Sequence, residues 1–590
     1  MNNEKTIRGN AATSGAIAGE FGRPGTQQPL GRVIAMKSVL RSGVALLALA
    51  VAPAHAAEVS PLAGKVVSTT GEPLAGIPVK AKRDNSPVTV AVYSDAKGEY
   101  SFPAWSDLAP GAYSVGVDLP DFERVAQPVA VAADKAAKAD FTLKPKPLAY
   151  EDATVSEIIA ALPGTDHQKT LFSQCGNCHT LQWALATPRD REDWVRVIRK
   201  MGGQASNIEQ PGTYAFSQKQ FIEPLADYLV SIRGPGSSDK IPFKQRPRPT
   251  DAASTNLVVT EYALKRGGER ELFMLRGDKR FVWPHDVINN DRYAYYTDHF
   301  SYLVGRVDLE TGENVEIPFE LPKGAGRGGR GESDGRPGDP GGGAHELQFD
   351  RAGAVVVGMD NGTVKFDPKN GTFLRWAVGS PMFGLDPQGN VWNMRKNGEL
   401  VKLETDAEGS KQTVFQIPKN GGIYDIDTDS KGRTDLYIWR EGKIGVFDPR
   451  AVKYEEFKTP TPMSGPRRGQ IDGKDRLWAA EFYAGQLLML DPDKKEMREY
   501  PLINGGKPYT PPFAAPYSAS ADDKNQIVWT ADFNSARLYK IDMNTGHSTE
   551  YLPPSNYELR DLKVDPNAER PTVWVPAYRP PSKLVKIQTR

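Results

Sequence analysis

The stretch Val528-Trp529-Thr530-Ala531-Asp532, followed by Leu538-Tyr539-Lys540-Ile541-Asp542, decides the fold of the C-terminal half of the chain. Both pieces have the length and the β-branched and aromatic content of strands. A similar pair lies upstream, with Leu477-Trp478-Ala479-Ala480-Glu481 followed by Leu488-Met489-Leu490-Asp491-Pro492. A strand pair that returns with a period of roughly forty residues is typical of the blades of a β-propeller.

The same pattern recurs between residues 254 and 590 often enough to predict seven blades. Its units lie at 304–312, 364–368, 391–403, 444–449, 477–492, 528–542 and 573–587. The early strand at 256–262 is predicted to complete the last blade and close the ring, which removes exposed sheet edges.

The repeat resembles the virginiamycin B lyase family of propellers, also called streptogramin lyase-like. The resemblance rests on an aromatic-x-x-acid step followed six residues later by an apolar residue, as in Trp529, Asp532 and Leu538. It implies an active site on one face of the ring, with a histidine and with carboxylates that hold magnesium. On this sequence the implied catalytic residue is His285, and the implied magnesium ligands are Asp298, Glu481 and Asp532.

Two readings of these residues remain open. An imidazole titrates near neutral pH and could serve as a base, and Mg²⁺ prefers carboxylate oxygens. Acids at this step could instead bond backbone amides at a strand end. Because Asp298 stands where the family has the longer Glu, we expect a face that binds a ligand or a partner rather than one that cleaves streptogramins.

The segment at 150–235 has helical periodicity and carries Cys175-Gly176-Asn177-Cys178-His179. The chain has two cysteines, both in this motif. A disulfide, a Cys-x-x-Cys redox pair and a zinc site are the competing readings, and zinc lacks further cysteines to complete four ligands. A histidine directly after the second cysteine is the pattern of c-type haem attachment. We therefore predict one covalent haem on Cys175 and Cys178, with His179 as an axial ligand of the iron.

Met201 is the predicted second axial ligand. It ends an amphipathic stretch and precedes Gly202-Gly203, and the run from Arg191 to Met201 resembles small bacterial cytochrome c domains. The alternatives are that Met201 is a core residue and that His167 is the ligand. A His/Met pair raises the reduction potential of a haem.

Residues 58–146 have short alternating strands and turns that predict a β-sandwich. They resemble the carboxypeptidase regulatory-like domain, which implies a transthyretin-like sandwich without catalytic residues. Residues 236–253 are rich in Gly, Pro and Ser and predict a linker.

Residues 1–57 are predicted to contain an upstream extension and a signal peptide, with the true start at Met36. Lys37 and Arg41 precede an apolar run, and Ala54-His55-Ala56 is a small-x-small cleavage site. Because the apolar run is too short to span a bilayer, we expect an exported, periplasmic protein without a stable membrane span.

The predicted fold class is multidomain: an all-β sandwich, then an all-α cytochrome c, then a seven-bladed β-propeller. The net charge of +1 argues against nucleic-acid binding. The favoured function is a periplasmic electron carrier whose propeller docks a redox partner protein or binds a small molecule. The alternatives are a haem-tethered enzyme with lyase-like or dehydrogenase-associated chemistry, and an interaction scaffold. The expected cofactors are one haem c and, at the propeller, Mg²⁺.

Overall fold

The sandwich, the helical segment and the propeller-like region follow one another in the computed structural model. The structure describes residues 60–133, 135–177, 180–201, 219–266, 281–299, 301–320, 343–359, 362–395, 398–407, 409–418 and 422–590. They belong to one compact unit, Ala57–Arg590. The predicted extension and signal peptide therefore lie outside the described residues.

The N-terminal region is the predicted β-sandwich. Its strands are β1 (Leu62–Ser68), β2 (Pro78–Arg83), β3 (Val88–Tyr93), β4 (Glu99–Phe102), β5 (Gly111–Val117), β6 (Val125–Val131), β7 (Ala137–Lys138) and β8 (Phe141–Leu143). One sheet has the order β4-β1-β7, with β8 also paired to β1, and the other contains β6-β5-β2-β3. Val66, Val79, Val92 and Val115 are fully buried in the core of the sandwich.

The helical segment consists of short helices. They are α1 (Val155–Ala161), α2 (Asp166–Ser173), α3 (Leu181–Ala184), α4 (Arg191–Met201) and α5 (Lys219–Arg233). Capping boxes start two of them, with Thr154 and Glu157 at α1 and Thr165 and Gln168 at α2. None of the described helices is both long and apolar enough to cross a bilayer.

The predicted apolar stripes of these helices meet in one core. Trp194 and Ile198 of α4 pack with Leu225 and Leu229 of α5, and all four are buried. The chain is nevertheless mostly β, and the described helices are few for the full all-α domain that the sequence predicted. Residues 178–179 and 202–218, which include Cys178 and His179 of the haem motif, lie outside the described residues.

Four-stranded antiparallel sheets make up the propeller-like region. The first three are β10 (Pro284–Asn289), β11 (Tyr293–Asp298), β12 (Leu303–Asp308) and β13 (Asn314–Pro318); β14 (Leu347–Phe349), β15 (Val355–Met359), β16 (Gly362–Asp367) and β17 (Thr372–Trp376); and β18 (Gly384–Leu385), β19 (Val391–Met394), β20 (Glu399–Leu403) and β21 (Gln412–Gln416). The next three are β22 (Ile423–Thr428), β23 (Thr434–Ile438), β24 (Lys443–Asp448) and β25 (Lys453–Lys458); β26 (Pro466–Ile471), β27 (Leu477–Glu481), β28 (Gln486–Asp491) and β29 (Glu496–Pro501); and β30 (Pro516–Asp522), β31 (Ile527–Asp532), β32 (Arg537–Asp542) and β33 (Ser548–Tyr551).

The seventh sheet closes the ring in the predicted way. Its strands are β34 (Lys563–Val564), β35 (Thr572–Ala577), β36 (Lys583–Thr589) and the early strand β9 (Leu257–Ala263). Trp392, Trp478, Trp529 and Trp574 occupy the second strand of their sheets and pack, fully buried, against the following sheet. These tryptophans explain why the aromatic strand is the most visible part of the repeat in the sequence.

The sandwich and the seventh sheet share β9. The outer side of β9 pairs antiparallel with β3, with Val88 opposite Tyr262 and Val92 opposite Val258, so that eight strands are hydrogen-bonded in one sheet. The alternating pattern of each strand predicted its existence, but it did not predict this partner.

The predicted linker has no helix or strand, but it is held at several points. The backbone N–H of Lys244 donates to the carbonyl of Glu157 at 2.9 Å, and Arg246 lies 3.0 Å from both carboxylate oxygens of Glu550. Arg248 forms an ion pair with Asp121 of the sandwich. Residues 236–253 therefore connect all three regions by specific contacts.

Candidate functional site

The inner strands of the propeller carry a recurring irregularity at their first residues. The register of pairing shifts at the start of β10, β22, β26 and β30, between Pro284 and Val287 in the first of these. Bulges of this kind re-aim side chains. Here they present two consecutive polar or aromatic residues, the first pair being His285-Asp286.

At β10, β22 and β26 the second residue of the pair joins a buried charged core at the centre of the ring. We define this charged core by its members: Asp286, Glu346, Asp425, Arg468, Asp561 and Lys563. Arg468 Nη1 lies 2.6 Å from Asp561 Oδ2, and its Nη2 lies 3.4 Å from Asp286 Oδ2. The same guanidinium lies 3.7 Å from Glu346 and 3.8 Å from Asp425. One arginine therefore bridges carboxylates from four sheets.

Burial decides the protonation of this charged core. Loss of solvation raises the pKa of Glu346 to about 7, and the neighbouring charge of Asp425 adds to this effect. Burial likewise raises the pKa of Asp425 to about 7, against the opposing attraction of Arg468. Burial opposes the charged forms of Arg468 and Lys563, but the surrounding carboxylates raise the pKa of both side chains. The charged core therefore holds two cations, Arg468 and Lys563, among acids of which Glu346 and Asp425 are partly protonated near pH 7.

Three histidines lie beside the charged core and form the histidine cluster: His285, His299 and His345. The ring centre of His285 lies 3.8 Å from that of His345 and 4.7 Å from that of His299. One ligand nitrogen from each side chain can be chosen so that all three lie within 4.8 Å of one another. Among the described residues this is the one group of three or more His, Cys, Asp or Glu side chains with such spacing.

Tyrosines set the orientation of two of these imidazoles. His285 Nε2 lies 3.2 Å from the hydroxyl of Tyr517, and His299 Nδ1 lies 2.6 Å from the hydroxyl of Tyr578. His285 is fully buried. Burial lowers the pKa of His285 well below its ordinary value, and the nearby His345 and His299 lower it further. His285 is therefore a neutral imidazole at pH 7.

The predicted magnesium ligands occupy equivalent places in three different sheets. Asp298, Glu481 and Asp532 end the second strand of their sheets, each opposite the proline that starts the inner strand. They do not belong to the group of potential metal ligands that the described residues contain.

Each of the three acids has a local partner. Asp298 pairs with Arg266, which also lies 3.2 Å from Glu316. Glu481 accepts a hydrogen bond from Gln486 Nε2 at 2.6 Å. Asp532 accepts from the backbone N–H of Ala515 at 2.7 Å and from that of Asn534 at 3.0 Å. These contacts favour a structural role for the three acids over magnesium binding, the two alternatives that the sequence left open.

The helical segment packs on the face of the ring that carries these residues. Phe513, in the loop before β30, is buried in the helical core. The backbone N–H of Ser156 donates to the carbonyl of Asn534 at 2.9 Å. The end of α2 and the loops of the fifth and sixth sheets line a cleft, with Ser173 and Gln174 on one side and Phe482 on the other.

Aromatic contacts continue from this cleft to the histidine cluster. The rings of Phe482 and Tyr517 lie 6.3 Å apart, and the Arg467 guanidinium carbon lies 4.3 Å and 4.0 Å from the centres of these two rings. Tyr517 then reaches His285 through its hydroxyl. The end of α2, directly before Cys175, is therefore linked to the centre of the propeller through the cleft and these aromatic contacts, although more than a hundred residues separate Cys175 from His285.

The haem residues that the structure describes lie at the edge of the helical core. Cys175 is half-buried in the turn after α2 and packs against that core. Met201 ends α4 and is half-buried. His167, the alternative ligand, is exposed on α2, and its ring centre lies 5.7 Å from that of Phe221. Cys178 and His179 lie outside the described residues, so their ligand roles stay predictions.

The comparisons with known proteins agree with this architecture in part. Residues 61–144 match the carboxypeptidase regulatory-like domain. No curated protein matches the chain.

Among solved structures, virginiamycin B lyase from Staphylococcus aureus has 18% sequence identity and a TM-score of 0.43, covering 55% of this chain and 99% of its own. A streptogramin B lyase has 18% identity and a TM-score of 0.44, covering 58% of this chain and 100% of its own. The WD40 repeats of RRP9 have 11% identity and a TM-score of 0.41, covering 56% of this chain and 100% of their own.

Sequence reasoning found His285 but missed the rest of the central site. His299 and His345 were visible only as neighbours of the motifs, and Arg468 was not selected. The sequence did contain a signal for these residues, since a pair of large polar residues precedes the apolar part of several inner strands. The pairs are His285-Asp286, His345-Glu346, Tyr424-Asp425, Arg467-Arg468 and Arg560-Asp561.

Glu481→Gln tests whether the acid at the end of the second strand stabilises the fold rather than binding a metal ion. Burial raises the pKa of Glu481 to about 8 from its ordinary 4.5. The folded protein therefore keeps this proton to higher pH than the unfolded chain does, and it loses stability as the pH rises from about 4.5 to about 8. Gln does not titrate, so the melting temperature of Glu481→Gln relative to wild type should rise by a few degrees between pH 5 and pH 9.

The matched control for this prediction is Glu496→Gln, at an exposed position of β29. It should change the melting temperature by less than about 2 °C at either pH, as surface substitutions usually do. A Glu481→Gln variant whose melting temperature tracks wild type across this range would show that Glu481 is ionised in the folded protein, as a magnesium ligand would be.

Proposed function

We propose that this protein is an exported electron carrier with one c-type haem, in which the propeller binds a small molecule or docks a periplasmic redox partner protein. The observation that carries the proposal is the Cys175-to-His179 motif, which follows a helix packed on the same propeller face as the histidine cluster. The net charge of +1 supports a protein or small-molecule partner over nucleic acid.

The described residues around the motif fit a haem c. Cys175 lies against an apolar core, and Gln174, beside it, is buried with a side-chain oxygen that has no hydrogen-bond partner. Trp183, just after the motif, is a large apolar side chain that is 57% exposed. Cys175 and Cys178 would hold the group by thioether bonds, and His179 and Met201 would be its axial ligands. When bound, a haem c supplies one-electron oxidation and reduction.

The packing of the helical segment supports a function for the propeller in the same process. Thr154, Glu157 and Thr165 fix the starts of α1 and α2, and Phe513 anchors the segment to the ring. The segment at 236–253 adds contacts to Glu157 and Glu550. These contacts attach the segment that carries Cys175 to the propeller face, which supports a shared function of the two regions.

A second candidate is a haem-tethered enzyme with lyase-like or dehydrogenase-associated chemistry at the propeller face. The observation that favours it is the buried, neutral His285 beside the charged core. A neutral imidazole can accept a proton, and the partly protonated carboxyl groups of Glu346 and Asp425 could stabilise a charge that forms during a reaction. The pairing of Asp298 with Arg266 argues against magnesium binding by that carboxylate, as magnesium-dependent lyase chemistry would require.

Met201→Ala tests the electron-carrier proposal in the full chain, produced by export in a host that matures c-type cytochromes. We expect wild type to carry one haem, to show the weak near-infrared sulfur-to-iron band when oxidised, and to be reduced in one step. Met201→Ala should lose the band and lower the midpoint potential by on the order of 0.1 V, because axial ligands set haem potentials. A potentiometric titration followed by absorbance measures both.

Val197→Ala is the matched control, since Val197 is a partly buried apolar residue of the same helix. It should keep both the band and the midpoint potential. If the band survives in Met201→Ala, Met201 is a core residue, and if wild type carries no haem the electron-carrier proposal is wrong.

A further inference from the structure

The histidine cluster has the composition of a transition-metal site rather than that of a magnesium site. Its three donors are imidazoles, which suit zinc, copper, iron and nickel, whereas magnesium takes oxygen ligands. The residues come from one strand and two connecting segments, since His285 is the second residue of β10, His299 follows β11 and His345 precedes β14. Contacts between separate elements hold such donors in place better than a single flexible segment would.

We propose that His285, His299 and His345 bind one divalent first-row transition-metal ion at the centre of the propeller face. This site shares only His285 with the residues that the resemblance to the lyase family implied. It does not rest on the electron-carrier proposal, because none of its ligands belongs to the helical segment.

The separations fit a site that closes around an ion. A zinc–nitrogen bond is about 2.1 Å long, so two nitrogens of a tetrahedral site lie about 3.4 Å apart. The ligand atoms of the three imidazoles already lie within 4.8 Å of one another. Binding of an ion would require these atoms to approach one another by up to about 1.4 Å. Three protein ligands leave a fourth position open, as in catalytic rather than structural zinc sites.

Tyrosine hydroxyls lie against one ring nitrogen of His285 and one ring nitrogen of His299. Tyr517 occupies Nε2 of His285, and Nδ1 of His285 is buried without a hydrogen-bond partner. Nδ1 of His299 lies 2.6 Å from the hydroxyl of Tyr578. A partner on the second ring nitrogen is the usual arrangement for histidines that bind metals.

The charges around the cluster permit a cation. Arg560 stacks 3.6 Å from the ring centre of Tyr578 and pairs with Glu558 at 2.8 Å. Arg468 is surrounded by carboxylates. The carboxylate partners of Arg468 and Arg560 offset part of their positive charge, and both arginines still lower the pKa of His285.

The test uses the full chain after treatment with a chelator, with haem iron counted separately from its absorbance. Zn²⁺ and Cu²⁺ are each titrated by calorimetry, and the bound metal is measured by elemental analysis after gel filtration. We expect one Zn²⁺ or Cu²⁺ per chain for wild type, and at least 100-fold weaker binding for His299→Ala. His299 is chosen because it is only half-buried, so its removal costs little packing.

Two further variants separate a metal site from a folding defect. Tyr578→Phe removes the hydroxyl that orients His299 but keeps the ring, and it should weaken binding by about 10- to 100-fold. His547→Ala, at an exposed histidine, should bind as wild type does. Thermal melts should show that His547→Ala and Tyr578→Phe are folded.

Wild type that binds neither Zn²⁺ nor Cu²⁺, or His299→Ala that retains one ion per chain at unchanged affinity, would overturn the proposal. Binding of Mg²⁺ alone, unaffected by His299→Ala, would also overturn it. Haem content and midpoint potential are measured on the same samples, so loss of the metal site and failure of the electron-carrier proposal give different results.

Discussion

Arg468→Met should destabilise the propeller by about 3–5 kcal/mol, the cost of removing one partner from a buried ion pair. Arg468 is 1% exposed and bridges carboxylates of four sheets, including Asp561 at 2.6 Å and Asp286 at 3.4 Å. Methionine has a similar volume but no charge. The remaining acids would have only Lys563 as a compensating cation.

The pH dependence of this loss identifies its cause. Protonation of the carboxylates in the charged core removes their mutual repulsion. The destabilisation by Arg468→Met should therefore be smaller at pH 5 than at pH 8. Urea denaturation followed by tryptophan fluorescence measures it, because Trp392, Trp478, Trp529 and Trp574 are all buried between sheets.

Arg292→Met is the matched control. Arg292 also pairs with two carboxylates, Asp308 and Glu310, each at 2.7 Å, but its side chain is 53% exposed. Exposed ion pairs contribute about 0–1 kcal/mol, so the urea concentration at the midpoint of unfolding should change little. Equal effects of Arg292→Met and Arg468→Met would show that the charged core does not stabilise the ring.

Cys178→Ser should abolish most of the covalent haem, the second large effect that we expect. Two thioether bonds fix the group in a c-type cytochrome, so wild-type haem should stay with the protein through acid–acetone extraction. With only one cysteine left, attachment during maturation should fail in most chains. The haem that remains in the protein pellet, measured by its absorbance in pyridine and alkali, reports the result.

His167→Ala is the control for this experiment. His167 lies on α2, close to the motif but outside it, and its exposed ring contacts Phe221. It should keep a full complement of haem, and it also tests the alternative axial ligand. If Cys178→Ser matches wild type, or if wild-type haem is fully extractable, the pair Cys175 and Cys178 does not attach a haem.

The strands of the propeller could be predicted from the sequence because the blades bury the same types of residue at the same places in their strands. The predicted strand Leu477–Glu481 is observed with the same bounds as β27, and the ring-closing strand predicted at 256–262 is β9 at Leu257–Ala263. Buried aromatic residues on the second strand give the repeat its period. The residue pattern within each of these strands is therefore enough to predict its place in the chain.

The central site could be predicted only in part, because it is assembled from residues that are distant in the sequence. Asp298 has the same local pattern whether it binds magnesium or pairs with Arg266, which lies in another segment. His299 and His345 belong to a loop and to the start of another sheet, so no local period marks them. The role of Arg468 depends on four carboxylates that come together only when the ring closes.

The eight-stranded sheet has a consequence for the order in which the chain can fold. β9, Leu257–Ala263, is made more than three hundred residues before its partner β36, Lys583–Thr589. Until those residues emerge, β9 is an apolar strand whose propeller-side edge is open, and such strands are prone to self-association. β3 precedes β9 in the chain and can pair with it at once. Pairing with β3 therefore covers the outer edge of β9 during synthesis and leaves only its propeller-side edge open until β36 is made.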